Sequence, residues 1–128
     1  MSTIDIETLD RILKEHSERF SLGLFRGDLS ISDLSGLVLV GRKFRGILAR
    51  SVNFSGCDLT DCDFSYCKLE DSDFSGANLS WANFSYAHLD NVDFSGAKLF
   101  EANLSYMPLD DNVCFDGADM RGVRRNLW

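Results

Sequence analysis

The sequence predicts an all-β solenoid, a chain wound into a square coil, with a short α-helix capping its N-terminal end. The first observation is a period of five. Large apolar residues recur every fifth position from Leu24 to Leu109, and all but one of these positions hold Leu or Phe. This period matches neither the 3.6 residues of a helical turn nor the two-residue alternation of a strand. We therefore expect a short extended step and one bend in every five residues.

Smaller residues precede the large ones by two positions and complete the predicted core. They include Cys57, Cys62, Cys67 and Ala77. Alternating small and large inward side chains fill an interior without voids. The three cysteines are therefore assigned to the core, since a spacing of five is not that of a zinc-binding motif. No metal or cofactor is predicted.

A longer period of twenty gives the number of sides. The segments 33–36, 53–56, 73–76 and 93–96 share the pattern Asp/Asn-Leu/Phe-Ser-Gly, and the three tyrosines also lie twenty apart. Four five-residue segments then make one turn, so residue n lies over residue n+20. The stack Phe54, Phe74 and Phe94 is predicted to face the stack Phe44, Phe64 and Phe84, with leucines on the other two sides.

Departures from the pattern predict local irregularity. In residues 40–52, Ala49 takes a large-residue position and Arg42 an inward one, where an unpaired charge is costly. We expect an irregular coil or a loop there. Phe115 comes one residue late, which predicts an inserted residue near 110–113 that makes either a bulge or a corner bend.

The ends of a solenoid expose its core unless they are capped. We divide the single domain, 1–128, into a helical cap (1–21), coils (22–122) and a tail (123–128). Ser2 or Thr3 is expected to cap a helix over about 4–19. Its inner face holds Ile6, Leu9, Leu13, His16 and Phe20. In the tail, Leu127 and Trp128 either fold back over the last coil or meet a second copy in a homodimer.

The composition narrows the class of protein. The chain has 45% apolar residues and a net charge of -7, which disfavours direct binding of nucleic acid. No apolar stretch approaches the ~20 residues of a spanning helix, and the N-terminus lacks the layout of a secretory signal. Four cysteines in such a chain indicate reduced thiols. We expect a cytoplasmic protein with no membrane partner.

Runs such as CDLTD-CDFSY-CKLED-SDFSG-ANLSW resemble pentapeptide-repeat proteins, whose consensus is A(D/N)LXX. The resemblance covers about residues 22–120. It implies a right-handed quadrilateral β-helix, in agreement with the square coil. It also implies a class of function, because the best-understood members are similar acidic β-helices that bind DNA gyrase.

No catalytic residues are predicted. His88 is expected to point outward and His16 to belong to the cap, and neither has a nucleophile placed for it. The serines that follow Leu or Phe are bend residues. The glycines follow the coil period and form no phosphate-binding loop.

Negative charge is concentrated in residues 57–116, which hold twelve acids and two lysines, a net -10. Three coils with a rise of ~4.8 Å each then carry about one net charge per ~1.5 Å. Duplex DNA carries one per ~1.7 Å. The two charge densities match.

These acids follow the coil. The positions after Leu69 and Leu89 hold Glu70, Asp71 and Asp90, which form an acidic ladder along one wall. Asp73 and Asp93 begin a second ladder around the corner. The repeat consensus, which has Asp or Asn before the large residue, explains the acids at 58, 73 and 93 but not the other acids of this surface. The predicted acidic surface comprises Asp58, Asp61, Glu70, Asp71, Asp73, Asp90, Asp93, Asp110 and Asp111.

Outward aromatic residues mark a second surface. It comprises Trp81 and Phe100 on one wall and Tyr66, Tyr86 and Tyr106 on another. These rings either bind a partner or stack to stiffen the coil. Arg42, Lys43, Arg45 and Arg50 form a basic cluster, which is either a solvated loop or a contact that orients a partner.

The acidic ladder predicts a DNA mimic, an inhibitor or protector that occupies the basic cleft of a DNA-handling enzyme. Topoisomerases and restriction or CRISPR nucleases are the expected targets. The alternative is a structural or protein-interaction module that binds through the aromatic surface. About five coils give a rod of roughly 24 Å, the length of about seven base pairs.

Overall fold

The computed structural model describes residues 2–21, 27–108 and 112–126 of the chain. The elements in chain order are β1 (Ser2–Thr3), α1 (Ile6–Ser21), β2 (Ser32–Asp33), β3 (Leu48–Arg50), β4 (Lys68–Glu70) and β5 (His88–Asp90). Strands β3, β4 and β5 form one parallel sheet in that order, and β1 pairs in parallel with β2. Single parallel bridges, such as Asp58 to Asn78 and Asn78 to Lys98, link the remaining coils.

The predicted square coil is confirmed. The described coils bend at five-residue intervals, at a residue whose φ lies between 52° and 76°. The bends separate four walls, which we name after the large inward residues of one coil: the Leu69, Phe74, Leu79 and Phe84 walls. Each wall bonds to both neighbouring coils. The amide of Phe74 donates to the Asp93 carbonyl at 2.7 Å, and the amide of Asp73 to the Val52 carbonyl at 3.0 Å.

The phenylalanines form two facing stacks in the core, as predicted. Ring centroids lie 4.7 Å apart for Phe54 and Phe74 and 5.0 Å apart for Phe64 and Phe84. Between the stacks the rings meet edge to face, at 5.5 Å for Phe64 and Phe74. Both arrangements are favoured by the aromatic quadrupole, and all these rings are fully buried.

The three inward cysteines are core residues, as predicted. Their thiols donate to carbonyl oxygens of the preceding coil: Cys57 to Leu34 at 2.9 Å, and Cys62 to Leu39 at 3.0 Å. Ser72 makes the equivalent bond to Ala49 at 3.0 Å. Burial raises the pKa of the Cys57 thiol, and that of Cys62 to about 12. These thiols stay protonated at neutral pH.

Thiol labelling tests this burial. With a thiol reagent at about pH 8, Cys114, which is partly exposed, is expected to react first in the native protein. Cys57, Cys62 and Cys67 are expected to react at least about a thousandfold more slowly, because they become accessible only on unfolding. Mass spectrometry of labelled peptides gives each rate. Rapid labelling of all four cysteines would contradict the packed coil.

Residues 40–52 form a regular coil, so the expected irregularity is wrong. Lys43 bridges to Asp63, and β3 pairs with β4 in register. Arg42 does occupy the inward position, but its long side chain reaches the carboxylate of Asp10 on α1 with two bonds of 3.1 Å. The hydrogen bond to Asp10 raises the pKa of Arg42. The cap therefore supplies the counter-charge that the coil lacks.

The predicted inserted residue is confirmed by the register of the last coil. Bridges step by twenty residues up to Asn83–Asn103 and by twenty-one from Asp93–Cys114 onward. Phe115 consequently stacks on Phe94, with ring centroids 5.3 Å apart. The register places the extra residue between Asn103 and Cys114. Its predicted position, 110–113, lies partly outside the described residues, which exclude 109–111. Other predictions that lie outside them concern Leu24, Leu127 and Trp128.

The helical cap begins later than predicted, and a different residue caps it. The Oδ1 atom of Asp5 accepts the Thr8 amide at 2.7 Å, which makes Asp5 the N-cap of α1. Hydrogen bonds from Thr8 lower the pKa of Asp5. Ser2 and Thr3 are not available as caps, because as β1 they pair with Ser32 and Asp33.

The inner face of α1 matches the prediction at Leu9, Leu13 and His16, which are buried, but not at Ile6, which is 36% exposed. The imidazole of His16 joins the cap to the coil. Its Nδ1 accepts the amide of Gly27 at 2.6 Å, and its Nε2 lies 2.7 Å from the Arg45 carbonyl. Because an amide only donates, His16 is the neutral tautomer that is protonated at Nε2.

Gly27→Ala tests the fit of the cap. A Cβ at this position would lie 2.8 Å from both Cβ and Nδ1 of His16. Overpacking of this kind is expected to cost about 1–3 kcal/mol in the free energy of unfolding, measured by urea denaturation. The His16→Gly background removes both of these His16 atoms, so the same change should cost much less there. Equal costs in both backgrounds would show that His16 does not pack on Gly27.

Candidate functional site

One corner of the coil concentrates carboxylates on two successive turns. In the sheet, Glu70 lies in register with Asp90, and around the corner Asp73 bridges to Asp93. This corner separates the Leu69 wall from the Phe74 wall. We call the following residues the acidic edge: Glu70, Asp71, Asp73, Asp90 and Asp93.

Two members of the acidic edge also stabilise turns. The Oδ1 atoms of Asp73 and Asp93 each accept the amide two residues later at 2.8 Å. Asn78 and Asn83 make the same bond at the corresponding positions of the next two walls. Asp and Asn can therefore both accept the hydrogen bond that stabilises the turn. The negative charge of Asp73 and Asp93 is additional to that role.

Asp71 and Asp90 are the exposed members of the edge. The side-chain amide of Asn91 donates to Asp71 at 2.8 Å, and that of Asn112 donates to Asp90. These neutral donors hold the carboxylates in place without cancelling their charge. Neither asparagine was among the predicted site residues, although the period of twenty places Asn91 directly over Asp71.

The N-terminal end of the acidic edge is partly neutralised. Glu70 is half-buried and forms an ion pair with Lys68 at 3.3 Å. Arg50 lies one coil earlier, in register with Glu70. An exposed ion pair of this kind contributes little stability. The uncompensated charge therefore lies toward Asp71, Asp90 and the coil that follows.

The structure does not bring the whole predicted acidic surface together. Asp58 belongs to the Leu79 wall, where it accepts the Thr60 hydroxyl at 2.7 Å. Asp61 occupies the corner after that wall. Both lie across the core from the acidic edge. Asp110 and Asp111 fall outside the described residues.

A second corner carries an exposed tryptophan. Trp81 is 54% exposed and meets Phe100 edge to face, with centroids 5.5 Å apart. Its φ of 59° is left-handed, a conformation that costs a bulky residue about 1–2 kcal/mol. Glycine takes the same corner position elsewhere, for instance at Gly41. Neither the turn nor burial accounts for tryptophan here.

Phe100, which packs against Trp81, binds a cationic side chain of the protein itself. The guanidinium of Arg121 lies over the Phe100 ring, 5.6 Å from its centroid. The same group bonds both carboxylate oxygens of Asp119, at 2.9 and 2.7 Å. Hydrogen bonds from Arg121 lower the pKa of Asp119 to about 2. The arrangement combines an aromatic ring, an arginine and a carboxylate.

The three tyrosines stack along a third corner. Ring centroids are 4.9 Å apart for Tyr66 and Tyr86 and 5.0 Å for Tyr86 and Tyr106. Arg45 extends the stack, with its guanidinium 4.5 Å from the centre of Tyr66. This geometry favours the stiffening role for the tyrosines.

Two of the four residues of the basic cluster contact other side chains. Arg42 pairs with Asp10, and Arg45 covers Tyr66. Arg50 lies in register with Glu70 in the sheet. Lys43, Arg45 and Arg50 are exposed and form no ion pair in the described part of the chain. Arg42 is thus the member of the cluster that fastens the cap to the coil.

Other kinds of site are not found in the described ranges. Within 2–21, 27–108 and 112–126, no group of histidine, cysteine and acidic side chains could hold a metal ion. Over the same residues, no helix has the length and apolar character needed to cross a membrane. His88 is exposed, as expected.

A model of the pentapeptide repeat region matches residues 29–123, most of the chain. The chain belongs to the pentapeptide-repeat family. The fold is accordingly a right-handed quadrilateral β-helix. Membership of this family indicates a structural or protein-interaction module, and no enzyme family is matched.

A solved structure has the same fold. QnrB1, described as a plasmid-mediated fluoroquinolone resistance protein, superposes with a TM-score of 0.65 at 21% identity, over 77% of this pentapeptide-repeat chain and 52% of its own. The chain thus spans about half of the length of that QnrB1 chain. A thylakoid-lumen protein of Arabidopsis thaliana is 29% identical over 70% of this chain and 65% of its own, with a TM-score of 0.47. No curated protein matches the sequence.

Proposed function

We propose that this pentapeptide-repeat protein is a non-enzymatic DNA mimic. Its acidic edge occupies the basic DNA-binding cleft of a DNA-handling enzyme and excludes DNA from it. The outcome for that enzyme is either inhibition or protection. The partner is a protein, and neither nucleic acid nor a membrane is bound directly.

The observation that carries this proposal is the register of the acidic edge. Parallel pairing places Glu70 next to Asp90 and Asp73 next to Asp93. Each step along the edge is one strand spacing of ~4.8 Å. Carboxylates repeated at this spacing, on a backbone held by hydrogen bonds between coils, form a preorganised line of negative charge. A cleft built to bind phosphates is complementary to such a line.

Family resemblance suggests the first target to examine. Acidic members of the family bind DNA gyrase, so a type II topoisomerase is the leading candidate. Restriction and CRISPR nucleases present basic clefts of the same chemistry. The stack of described coils is short along its axis, which favours an enzyme whose cleft holds less than one turn of duplex DNA.

Capture from a bacterial lysate tests the proposal. The immobilised protein is washed at low and at high salt, or eluted with duplex DNA, and retained proteins are identified by mass spectrometry. A DNA enzyme that is retained at low salt and released by both treatments is expected, because charge-matched binding is salt-sensitive. A salt-resistant partner without a DNA-binding cleft would refute DNA mimicry.

A further inference from the structure

The acidic edge and the corner at which Trp81 lies are on opposite sides of the coil. Asp71 and Trp81 are ten residues apart, which is half of a twenty-residue turn, and both occupy corner positions with positive φ. A partner that covers one edge therefore leaves the other accessible. Any function of Trp81 is separate from the proposed function of the acidic edge.

The residues around Trp81 form a ladder of their own. Asp61, Trp81 and Glu101 take the same corner position on three successive coils. Asp61 is exposed, and in the described part of the chain it forms no ion pair. The carboxylate of Glu101 lies over Gly122 of the next coil, where a Cβ would approach it at 2.6 Å. Asp61, at the same corner one coil before Trp81, is thus the acid that stays accessible.

An exposed indole with an accessible carboxylate at the same corner of the neighbouring coil matches the chemistry of arginine. A guanidinium stacks on an aromatic face and bonds a carboxylate through its planar fork, whereas lysine offers only a point charge. The protein already contains this arrangement one coil later. Arg121 lies over Phe100 and bonds both oxygens of Asp119. At Trp81 the ring and the acid are present, and the arginine has to come from outside.

We propose that the Trp81 edge, defined as Asp61, Trp81, Phe100 and Glu101, is a second protein-binding site that accepts an arginine side chain of a partner protein. Trp81 provides the stacking surface and Asp61 the carboxylate. Glu101 adds negative charge nearby. Phe100 packs against the indole and holds it in place.

A peptide with arginines in a Gly-Ser sequence is the probe, and its citrulline analogue is the uncharged control. The protein used carries Glu70→Gln, Asp71→Asn and Asp90→Asn, so that the acidic edge does not attract the peptide. Binding is followed by NMR shifts of backbone amides. We expect saturable shifts confined to residues near 61, 81 and 101 with the arginine peptide. The citrulline peptide should produce no saturable shift.

Two substitutions decide the roles. Trp81→Leu is expected to weaken binding at least about fivefold, and Asp61→Asn about two- to fivefold. Tyr86→Leu, at an aromatic corner of another wall, is the matched control and should leave affinity unchanged. The proposal is overturned if millimolar arginine peptide leaves the Trp81 edge unshifted, if citrulline binds equally well, or if Trp81→Leu has no effect. Because the acidic edge is neutralised throughout, these outcomes do not depend on DNA mimicry.

Discussion

Phe74→Ala is expected to lower the free energy of unfolding by about 3–5 kcal/mol. Phe74 stacks between Phe54 and Phe94, with centroid distances of 4.7 and 5.2 Å. It also meets Phe64 and Phe84 edge to face, at 5.5 and 5.8 Å. Removing the ring opens a cavity at the centre of both stacks. The hydrogen bonds between neighbouring coils make each wall rigid, so the walls cannot move inward to close the cavity.

Ser75→Ala is the matched control, because Ser75 follows Phe74 but lies partly exposed at the bend. Ser75→Ala should lower the free energy of unfolding by no more than about 0.5 kcal/mol. Both variants are compared by equilibrium denaturation in urea. If Phe74→Ala does not fold, Phe74→Leu provides a smaller cavity and a measurable loss. Equal and small losses at positions 74 and 75 would contradict the packed square coil.

Neutralising the acidic edge should abolish binding to the proposed partner. The triple variant Glu70→Gln, Asp71→Asn and Asp90→Asn removes three charges while preserving side-chain shape. Close charge pairs at protein interfaces contribute about 1.5–7 kcal/mol each, so affinity should fall at least about a hundredfold. The loss should appear partly in the association rate, which electrostatic steering accelerates. Surface plasmon resonance at several salt concentrations measures both.

The cap supplies a control of equal charge. Glu7, Glu15 and Glu18 are exposed on α1 and lie away from the acidic edge. Changing all three to glutamine alters the net charge by the same amount. This variant should keep its affinity to within about threefold. An equal loss in both variants would show that net charge, rather than the edge, drives binding.

Most of the fold could be predicted because each residue of a repeat has one role. The inward positions of Phe54, Phe74 and Cys62 follow from the period of five, and the stacking of neighbours follows from the period of twenty. The inserted residue before Phe115 was visible as a shift of one. The two periods give the position of each residue around the coil, and this position decides which side chains enter the core.

Contacts between the cap and the coil could not be predicted in the same way. Arg42 looked like an unpaired charge, because the period gives no information about Asp10 on a separate helix. Asp5 became the N-cap because the segment before it was drawn into strand pairing with β2. These contacts depend on the docking of α1, which has no repeat to reveal it.

The candidate site was predicted in composition but not in arrangement. The acidic residues were identified, yet Asp58 and Asp61 lie on the opposite side from Glu70. Their positions follow from counting five-residue steps, and the place of Asn91 over Asp71 follows from the period of twenty. Asn112 comes late in the segment that carries the inserted residue, so its bond to Asp90 becomes evident only in the structure. The arginine, ring and carboxylate arrangement at Phe100 required side-chain geometry.

The most direct test of DNA mimicry is whether the protein and duplex DNA bind the captured enzyme at the same time. Fluorescently labelled duplex is titrated with the enzyme at fixed concentrations of this protein. We expect strict competition, with the apparent Kd for DNA rising in proportion to the protein added. The triple acidic-edge variant should lose this effect. A ternary complex with an unchanged Kd for DNA would contradict DNA mimicry.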